Sequence, residues 1–133
     1  FTLCSHAENF AHLRKSDPGN EAVVLANPKT IEFEVVQSSL MPQMLKTLAS
    51  NKSMPLPIKI FQVLDVLLLD PTNEVGARNE RRLAALYCNV HTGFEVIHGL
   101  VDRVMLMLNV SAGRYTIRPS QLPTYFPDRQ AEV

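Results

Sequence analysis

The sequence contains no tryptophan, only two cysteines, and no apolar stretch long enough for a membrane. A membrane-spanning helix needs about 18 or more consecutive apolar residues, so we expect no membrane partner. Cys4 and Cys88 stand alone, without a CxxC motif or a paired histidine motif. Their isolation favours two buried thiols in a reducing compartment over a disulfide framework or a metal centre.

The sequence also lacks net charge and the common catalytic motifs. Thirteen basic residues balance thirteen acidic ones, so a nucleic acid could be bound only through a local patch, and we expect no DNA partner. The four histidines show no metal-ligand spacing. Neither a glycine-rich phosphate loop nor a GxSxG motif is present, so the sequence lacks the signatures of common nucleotide-binding folds and of α/β hydrolases.

The strongest pattern that is present runs from Pro57 to Asn89. An apolar run on both alternating faces predicts a central strand covered on both sides. A polar turn region containing Pro71 and Gly76 follows, and then a weaker alternating run. The sequence therefore predicts a long antiparallel hairpin around which the rest of the chain is arranged.

Shorter elements are predicted before this hairpin. Ser5 is expected to cap a short helix, and Ser39 to cap an amphipathic helix with Pro42 in its first turn. Three extended segments are predicted at residues 1–5, 22–28 and 30–36.

Beyond the hairpin, Thr92 and Glu95 have the spacing of a capping box, and the helix that they start should reach about Asn109. Gly99 in its middle predicts the close approach of another backbone. A strand is expected at residues 114–119, and the final QAEV reads as the start of another. Strands alternating with helices around an antiparallel hairpin predict an α+β fold, an antiparallel sheet flanked by helices. The length of the chain suits one domain, and we expect the chain to be part of a longer polypeptide.

Two groups of residues are candidates for contact with a partner or RNA. Arg78, Arg81 and Arg82 lie in the charge run near the hairpin turn, although such runs commonly form a solvated face. Met41 and Met44 lie on one face of the amphipathic helix, which could equally pack on its own sheet.

Five segments together resemble the β-subunit family of phenylalanyl-tRNA synthetase, in its eukaryotic cytosolic or archaeal form. The resemblance runs nearly end to end, with Gln37 where the family commonly has Arg and Gln43 where it commonly has Gly. The segments are LANPKTIEFEVVQSSLMPQMLKTLASN, LPIKIFQVLDVLLLD, VGARNERRLAALYCN, GFEVIHGLVDRVMLML and FPDRQAEV.

The resemblance implies a class II aminoacyl-tRNA synthetase-like core, a two-layer α/β sandwich, with residues 1–133 a single fragment incomplete at both ends. This core copy is not catalytic in the family. It supports attachment of phenylalanine to tRNA by the α subunit, within a cytoplasmic (αβ)2 heterotetramer. ATP and magnesium are used by the whole complex, and no cofactor or metal is implied for this segment.

The second signature motif of class II enzymes can be compared with this sequence. In active enzymes a strand ends in Arg, one residue and Glu, and the Arg binds the ATP α-phosphate and the amino-acid carboxylate. Alignment places Leu68 at the Arg position and Asp70 at the Glu position. An aliphatic side chain neither neutralises nor hydrogen-bonds a phosphate, so the site is expected to be inactive.

Two other functions remain open from the sequence. In an active class II-like adenylate-forming enzyme, Arg78, Arg81 or Arg82 would have to supply the missing cation. A free-standing module on the same fold would instead hold an amino acid or a partner protein.

Overall fold

The structure is a computed structural model that describes residues 2–133. The strands form three antiparallel pairs, β1 with β2, β3 with β4 and β5 with β6, so the predicted α+β class with antiparallel strands is confirmed. No described helix is both long enough and apolar enough to cross a membrane. In chain order the elements are β1 (Leu3–Cys4), α1 (His6–Asn9), 3-10 turns at Ala11–Leu13 and Ile31–Phe33, β2 (Val35–Val36), α2 (Met41–Ser50), β3 (Ile58–Leu69), β4 (Ala77–Cys88), α3 (Phe94–Met107), β5 (Arg118–Pro119) and β6 (Ala131–Glu132).

The predicted long hairpin is confirmed, and its register runs from Ile58 opposite Cys88 to Leu69 opposite Ala77. In the turn, the backbone N–H of Asp70 donates to the Gly76 carbonyl at 2.9 Å. Gly76 has a φ of +72°, a left-handed conformation that glycine adopts without steric penalty. The Asp70 carboxylate accepts hydrogen bonds from the backbone and hydroxyl of Thr72, which further fixes the turn.

The two faces of the hairpin are covered unequally. We call the face with Ile58, Ile60 and Val66 the inner face, and the face with Phe61 and Leu83 the outer face. Val66 is fully buried, whereas Phe61 is 76% exposed. The prediction that β3 is covered on both sides is therefore wrong for the outer face within residues 2–133. Its apolar side chains favour burial, but α3 lies beside only part of this face.

The N-terminal part packs around Phe10, Val35 and Leu40, all of which are buried. The predicted cap of the first helix is confirmed, and it is a full capping box: the Glu8 N–H donates to Ser5 Oγ, and the Ser5 N–H donates to the Glu8 carboxylate. The predicted first strand is observed as β1, while Phe1 lies outside the described residues.

The predicted strands at 22–28 and 30–36 are much shorter in the structure. Residues 22–28 form only isolated bridges, from Ala22 to Leu68 and from Val24 to Val35. A 3-10 turn at Ile31–Phe33 interrupts the second segment, so that only β2 remains of the predicted strand. Alternating side chains favour strands at both places, but this turn removes the pairing partner that a longer strand would need.

The helix α2 begins as predicted with Pro42 in its first turn, although Leu40 and not Ser39 is the N-cap residue. Ser39 still accepts a hydrogen bond from the Met41 N–H at 3.3 Å. The helix lies against the inner face of the hairpin, where Leu48 is near Ile58 and Ile60.

The start of α3 differs from the prediction. Gly93 is the N-cap residue, and among residues 2–133 no side chain caps the helix, so the predicted capping box of Thr92 and Glu95 is wrong. A Cβ on Gly93 would overlap the ring of Tyr87, so a larger residue at the N-cap would require this ring to move. The close approach predicted at Gly99 is also wrong among the described residues, because a Cβ there would meet nothing within 4 Å.

The end of α3 is a Schellman motif. Asn109 has a φ of 60°, and the Val110 N–H donates to the Met105 carbonyl at 2.9 Å. The two predicted C-terminal strands are present as β5 and β6, which pair with each other through two residues each.

Candidate functional site

Leu68 lies on the inner face near the end of β3, directly opposite Arg78 on β4. Ala22 bridges the other edge of the strand at this point, because the Leu69 N–H donates to the Glu21 carbonyl at 3.0 Å. Asp70 is the first residue after β3, and its carboxylate is 3.6 Å from the Arg78 guanidinium. The hydroxyl of Thr72, more than Arg78, lowers the pKa of this carboxyl.

Arg78 is thus the cross-strand partner of Leu68, the residue predicted to stand at the position of the class II arginine. Cross-strand partners share one face of a sheet, so its side chain starts beside that of Leu68. Its guanidinium, however, is also 2.9 Å from the Glu80 carboxylate. Held between Asp70 and Glu80, this guanidinium is already neutralised by two carboxylates, which would themselves repel a phosphate.

Arg78, Glu80 and Arg82 alternate along the inner face of β4 and form a chain of ion pairs. The Arg82 Nε donates to the Glu80 carboxylate at 2.8 Å, and its Nη2 is 2.8 Å from the same oxygen. The bonds from Arg82, followed by those from Arg78, lower the pKa of Glu80. One carboxylate therefore holds both arginines in place.

Arg81 points to the outer face, where two of its guanidinium nitrogens donate to the two carboxylate oxygens of Asp65. The three candidate arginines are therefore divided between the two faces of the hairpin. Each has at least one carboxylate partner within residues 2–133. They form no single cationic patch of the kind that a nucleic-acid backbone favours.

A buried polar cluster lies where the hairpin meets the N-terminal part, and sequence reasoning did not identify it. Ser38 and Asn9 are almost completely buried and bond to each other, with the Ser38 N–H donating to Asn9 Oδ1 at 3.1 Å. The Ser38 hydroxyl donates to Glu21 at 2.6 Å, and Lys15 also contacts this carboxylate. The sequence holds no signal for it, because its members are separated along the chain and have ordinary polar side chains.

Gln37 lies next to this cluster in sequence. Its side chain is fully buried, and both polar atoms of its amide lack a hydrogen-bond partner within residues 2–133. An unpaired buried amide destabilises a fold, and a hydrogen-bonded one does not. We have no structural explanation for the glutamine.

The two candidate methionines of α2 differ in burial. Met44 is only 5% exposed and contributes to the core, while Met41 is half-buried. Leu45, next to Met44 in sequence, is 43% exposed. A partner could therefore reach Met41 and Leu45 without disturbing the core, but not Met44.

A cavity of about 530 Å³ separates the outer face from α3. Its lining is apolar apart from Lys59 and the Tyr87 hydroxyl, and it includes Phe61, Leu83, Ala85, Val96, Ile97 and Leu100. Within the described part of the chain, no three His, Cys, Asp or Glu side chains are grouped as metal ligands. Burial raises the pKa of the Cys4 thiol to about 11, so this thiol is protonated near neutral pH.

Fold and site together define an α+β domain built on a long antiparallel hairpin, whose charged end is neutralised by its own carboxylates. The chain belongs to the family described as "Phenylalanyl tRNA synthetase beta chain CLM domain", whose model matches residues 1–133.

Curated relatives of this chain carry the name phenylalanine–tRNA ligase β subunit. The chain is 50% identical to the protein of Caenorhabditis elegans, with all of the chain and 23% of the relative covered. It is 52% identical to the Schizosaccharomyces pombe protein and 44% identical to the human one, covering 24% and 23% of their lengths. The resemblance identified from the sequence is therefore confirmed, and the chain spans about a quarter of the length of these relatives.

Proposed function

We propose that this segment is the non-catalytic core of a phenylalanine–tRNA ligase β subunit. It supports ATP-dependent attachment of phenylalanine to tRNA by the α subunit, within a cytoplasmic (αβ)2 heterotetramer. The observation that carries the proposal is a cross-strand pair: Leu68, which the resemblance aligns with the phosphate-binding arginine, lies opposite Arg78, whose guanidinium contacts Asp70 and Glu80. The names of the relatives and the cytoplasmic label of the Arabidopsis thaliana protein support it.

A class II-like core, of which residues 1–133 form one incomplete piece, would include this hairpin as the strand pair of the second signature motif. In an active core, a free guanidinium would bind the α-phosphate in a bidentate manner and stabilise the charge of the transition state. Here that task would require Arg78 to leave both of its carboxylates. We therefore propose that this segment holds no cofactor, that ATP and magnesium are used by the whole complex, and that tRNA is bound through the whole complex.

The α2 surface with Met41 and Leu45 is our proposed contact with the α subunit. Its exposed apolar side chains fit the apolar character of stable subunit interfaces. Through this contact an inert core can present the surface that a catalytic homodimer would supply to itself.

The test is Met41→Glu in the full-length β subunit, with assembly and aminoacylation measured together. We expect subunit association and aminoacylation to fall in step, because a charge would be buried in an apolar interface. Ser50→Glu is the matched control: Ser50 is exposed and lies about half a turn around α2 from Met41. The scaffold function is wrong if the subunits separate while the α subunit alone keeps full activity.

One observation favours a second candidate, an active adenylate-forming enzyme: Arg78 is the cross-strand partner of Leu68. Exchange of pyrophosphate into ATP by the isolated β subunit, lost in Arg78→Gln, would establish that activity.

A further inference from the structure

Ser38 connects three separate parts of the chain. It lies just before α2 and is 1% exposed. Its backbone N–H donates to Asn9, at the end of α1, and its hydroxyl donates to Glu21. Its carbonyl accepts a hydrogen bond of 3.0 Å from Arg82 on β4. The segment that leads into α2 is therefore held through every polar group of this one residue.

Arg82 is oriented for this contact by Glu80. The Nε and Nη2 atoms of Arg82 face the Glu80 carboxylate, which leaves Nη1 to donate to the Ser38 carbonyl. A guanidinium is planar and rigid, so fixing two of its nitrogens also fixes the direction of the third. Arg82 is only 37% exposed, and partial burial strengthens such charge-assisted bonds.

The other ionic contact of α2 is more exposed. Lys46 binds Glu8 of α1 at 2.9 Å, but the Lys46 side chain is 51% exposed and lies in the middle of the helix. Because this ion pair is exposed and joins the middle of α2, it constrains the start of the helix less than the bond to Ser38 does. Neither Arg78 nor Arg81 donates to the segment before α2 among the described contacts. Of the hairpin's arginines, Arg82 alone does so.

We propose that Arg82 is a positioning residue: by binding the Ser38 carbonyl it holds the start of α2 against the hairpin, and so presents Met41 and Leu45 to the α subunit. The link to the α subunit rests on the proposed function, whereas the positioning of α2 does not. The role differs from contact with RNA or a partner, since it uses the guanidinium inside the β subunit.

The experiment compares Arg82→Gln, Arg82→Lys and Arg103→Gln in the full-length β subunit. Arg103 is an exposed arginine of α3 for which residues 2–133 show no ion pair, so Arg103→Gln controls for the loss of one positive charge. Hydrogen exchange is followed separately in peptides covering residues 39–50 and 58–69. Affinity for the α subunit is measured on the same preparations.

In Arg82→Gln we expect exchange in residues 39–50 to become about tenfold faster, with residues 58–69 unchanged, and affinity for the α subunit to fall about tenfold. In Arg82→Lys we expect both effects to be smaller than in Arg82→Gln. An ammonium can still reach one acceptor, but it cannot join Glu80 and Ser38 in one plane. A role limited to general stability would accelerate exchange in both peptides.

If Arg82→Gln does not fold, Glu80→Gln provides the second test. It keeps Arg82 but removes the charge that orients it, and we expect the same selective loss in residues 39–50, smaller in size. The proposal is wrong if residues 39–50 exchange no faster in Arg82→Gln than in the control Arg103→Gln. If Arg82→Gln does not fold, the same comparison is made with Glu80→Gln, and the same result overturns the proposal.

The outcome also separates this proposal from the proposed function. If Met41→Glu dissociates the complex while the Arg82 variants keep normal exchange and affinity, the positioning role is wrong and the scaffold function stands. If Arg82→Gln releases α2 while neither it nor Met41→Glu affects association, the positioning of α2 stands and its link to the α subunit is wrong.

Discussion

Two glycines of the α3 region, Gly93 and Gly99, have opposite surroundings. Gly93 faces the ring of Tyr87, whereas the position of Gly99 is open among the described residues. Gly99 interrupts a helical apolar pattern, so the sequence drew attention to it and not to Gly93. The restriction at Gly93 comes from a residue on β4, and local pattern carries no information about such a contact.

We expect Gly99→Ala to stabilise α3 by about 1 kcal/mol, because alanine is the better helix former and its methyl group has room. Gly93→Ala should destabilise the same helix by about 1–3 kcal/mol, since the Tyr87 ring would have to move. Hydrogen exchange of α3 amides in the full-length β subunit measures both. Equal effects of the two substitutions would contradict this assignment.

Glu8 is a residue whose ionisation stabilises the fold. Its hydrogen bond from Lys46 has the largest effect and lowers its pKa from the ordinary value of 4.5; burial opposes this, and the weaker bond from the Ser5 backbone adds to the lowering. A carboxyl with a lowered pKa in the folded state contributes stability above its unfolded pKa and loses it as the pH falls through the folded one.

We therefore expect protection of the α1 amides to be constant near neutral pH and to decline below about pH 4.5. Glu8→Gln should lower the protection at neutral pH and flatten its decline in acid. Amide protection factors, each referred to the unstructured exchange rate at the same pH, test this. If the protection of α1 amides declines in acid to the same extent in Glu8→Gln, groups other than Glu8 cause the decline.

At the scale of elements, one sequence signature has two outcomes. Ser5 and Glu8 form a capping box, while Thr92 and Glu95, with the same spacing, do not. A capping box requires the first residue to take the N-cap position. At α3 that position belongs to Gly93, against which the Tyr87 ring lies, and Thr92 is one residue too early to cap the helix.

Ser5→Ala should therefore destabilise α1 by about 1 kcal/mol, and Thr92→Ala should leave α3 nearly unchanged. The measurement is hydrogen exchange of the first helical turn in each variant of the full-length β subunit. A loss of protection at α3 in Thr92→Ala would mean that the threonine does cap this helix.

At the scale of the whole molecule, much apolar surface is exposed along the outer face and α3. Phe61, Phe94 and Leu108 are each more than 60% exposed. Large exposed apolar surface usually marks an interaction site or an intramolecular contact with further chain. It accords with a segment that spans about a quarter of its relatives' length.

The purified full-length β subunit should bind magnesium–ATP with a dissociation constant weaker than about 1 mM, equivalent to about −4 kcal/mol. The physical reason is the aliphatic Leu68 and the neutralised Arg78. Isothermal titration calorimetry tests this, with the intact complex with the α subunit as the positive control. A micromolar constant that disappears in Arg78→Gln would show that the ion pairs open for the nucleotide.

We could predict the long hairpin, the α+β class, the family, and the aliphatic residue at position 68 without coordinates. Each depends on local alternation, turn residues or residue identity, which remain readable without coordinates. Tertiary structure alone decided the capping at Gly93, the open space at Gly99, the exposure of the outer face, and the bond from Arg82 to Ser38. These join residues distant along the chain, and which distant groups meet is settled only by packing.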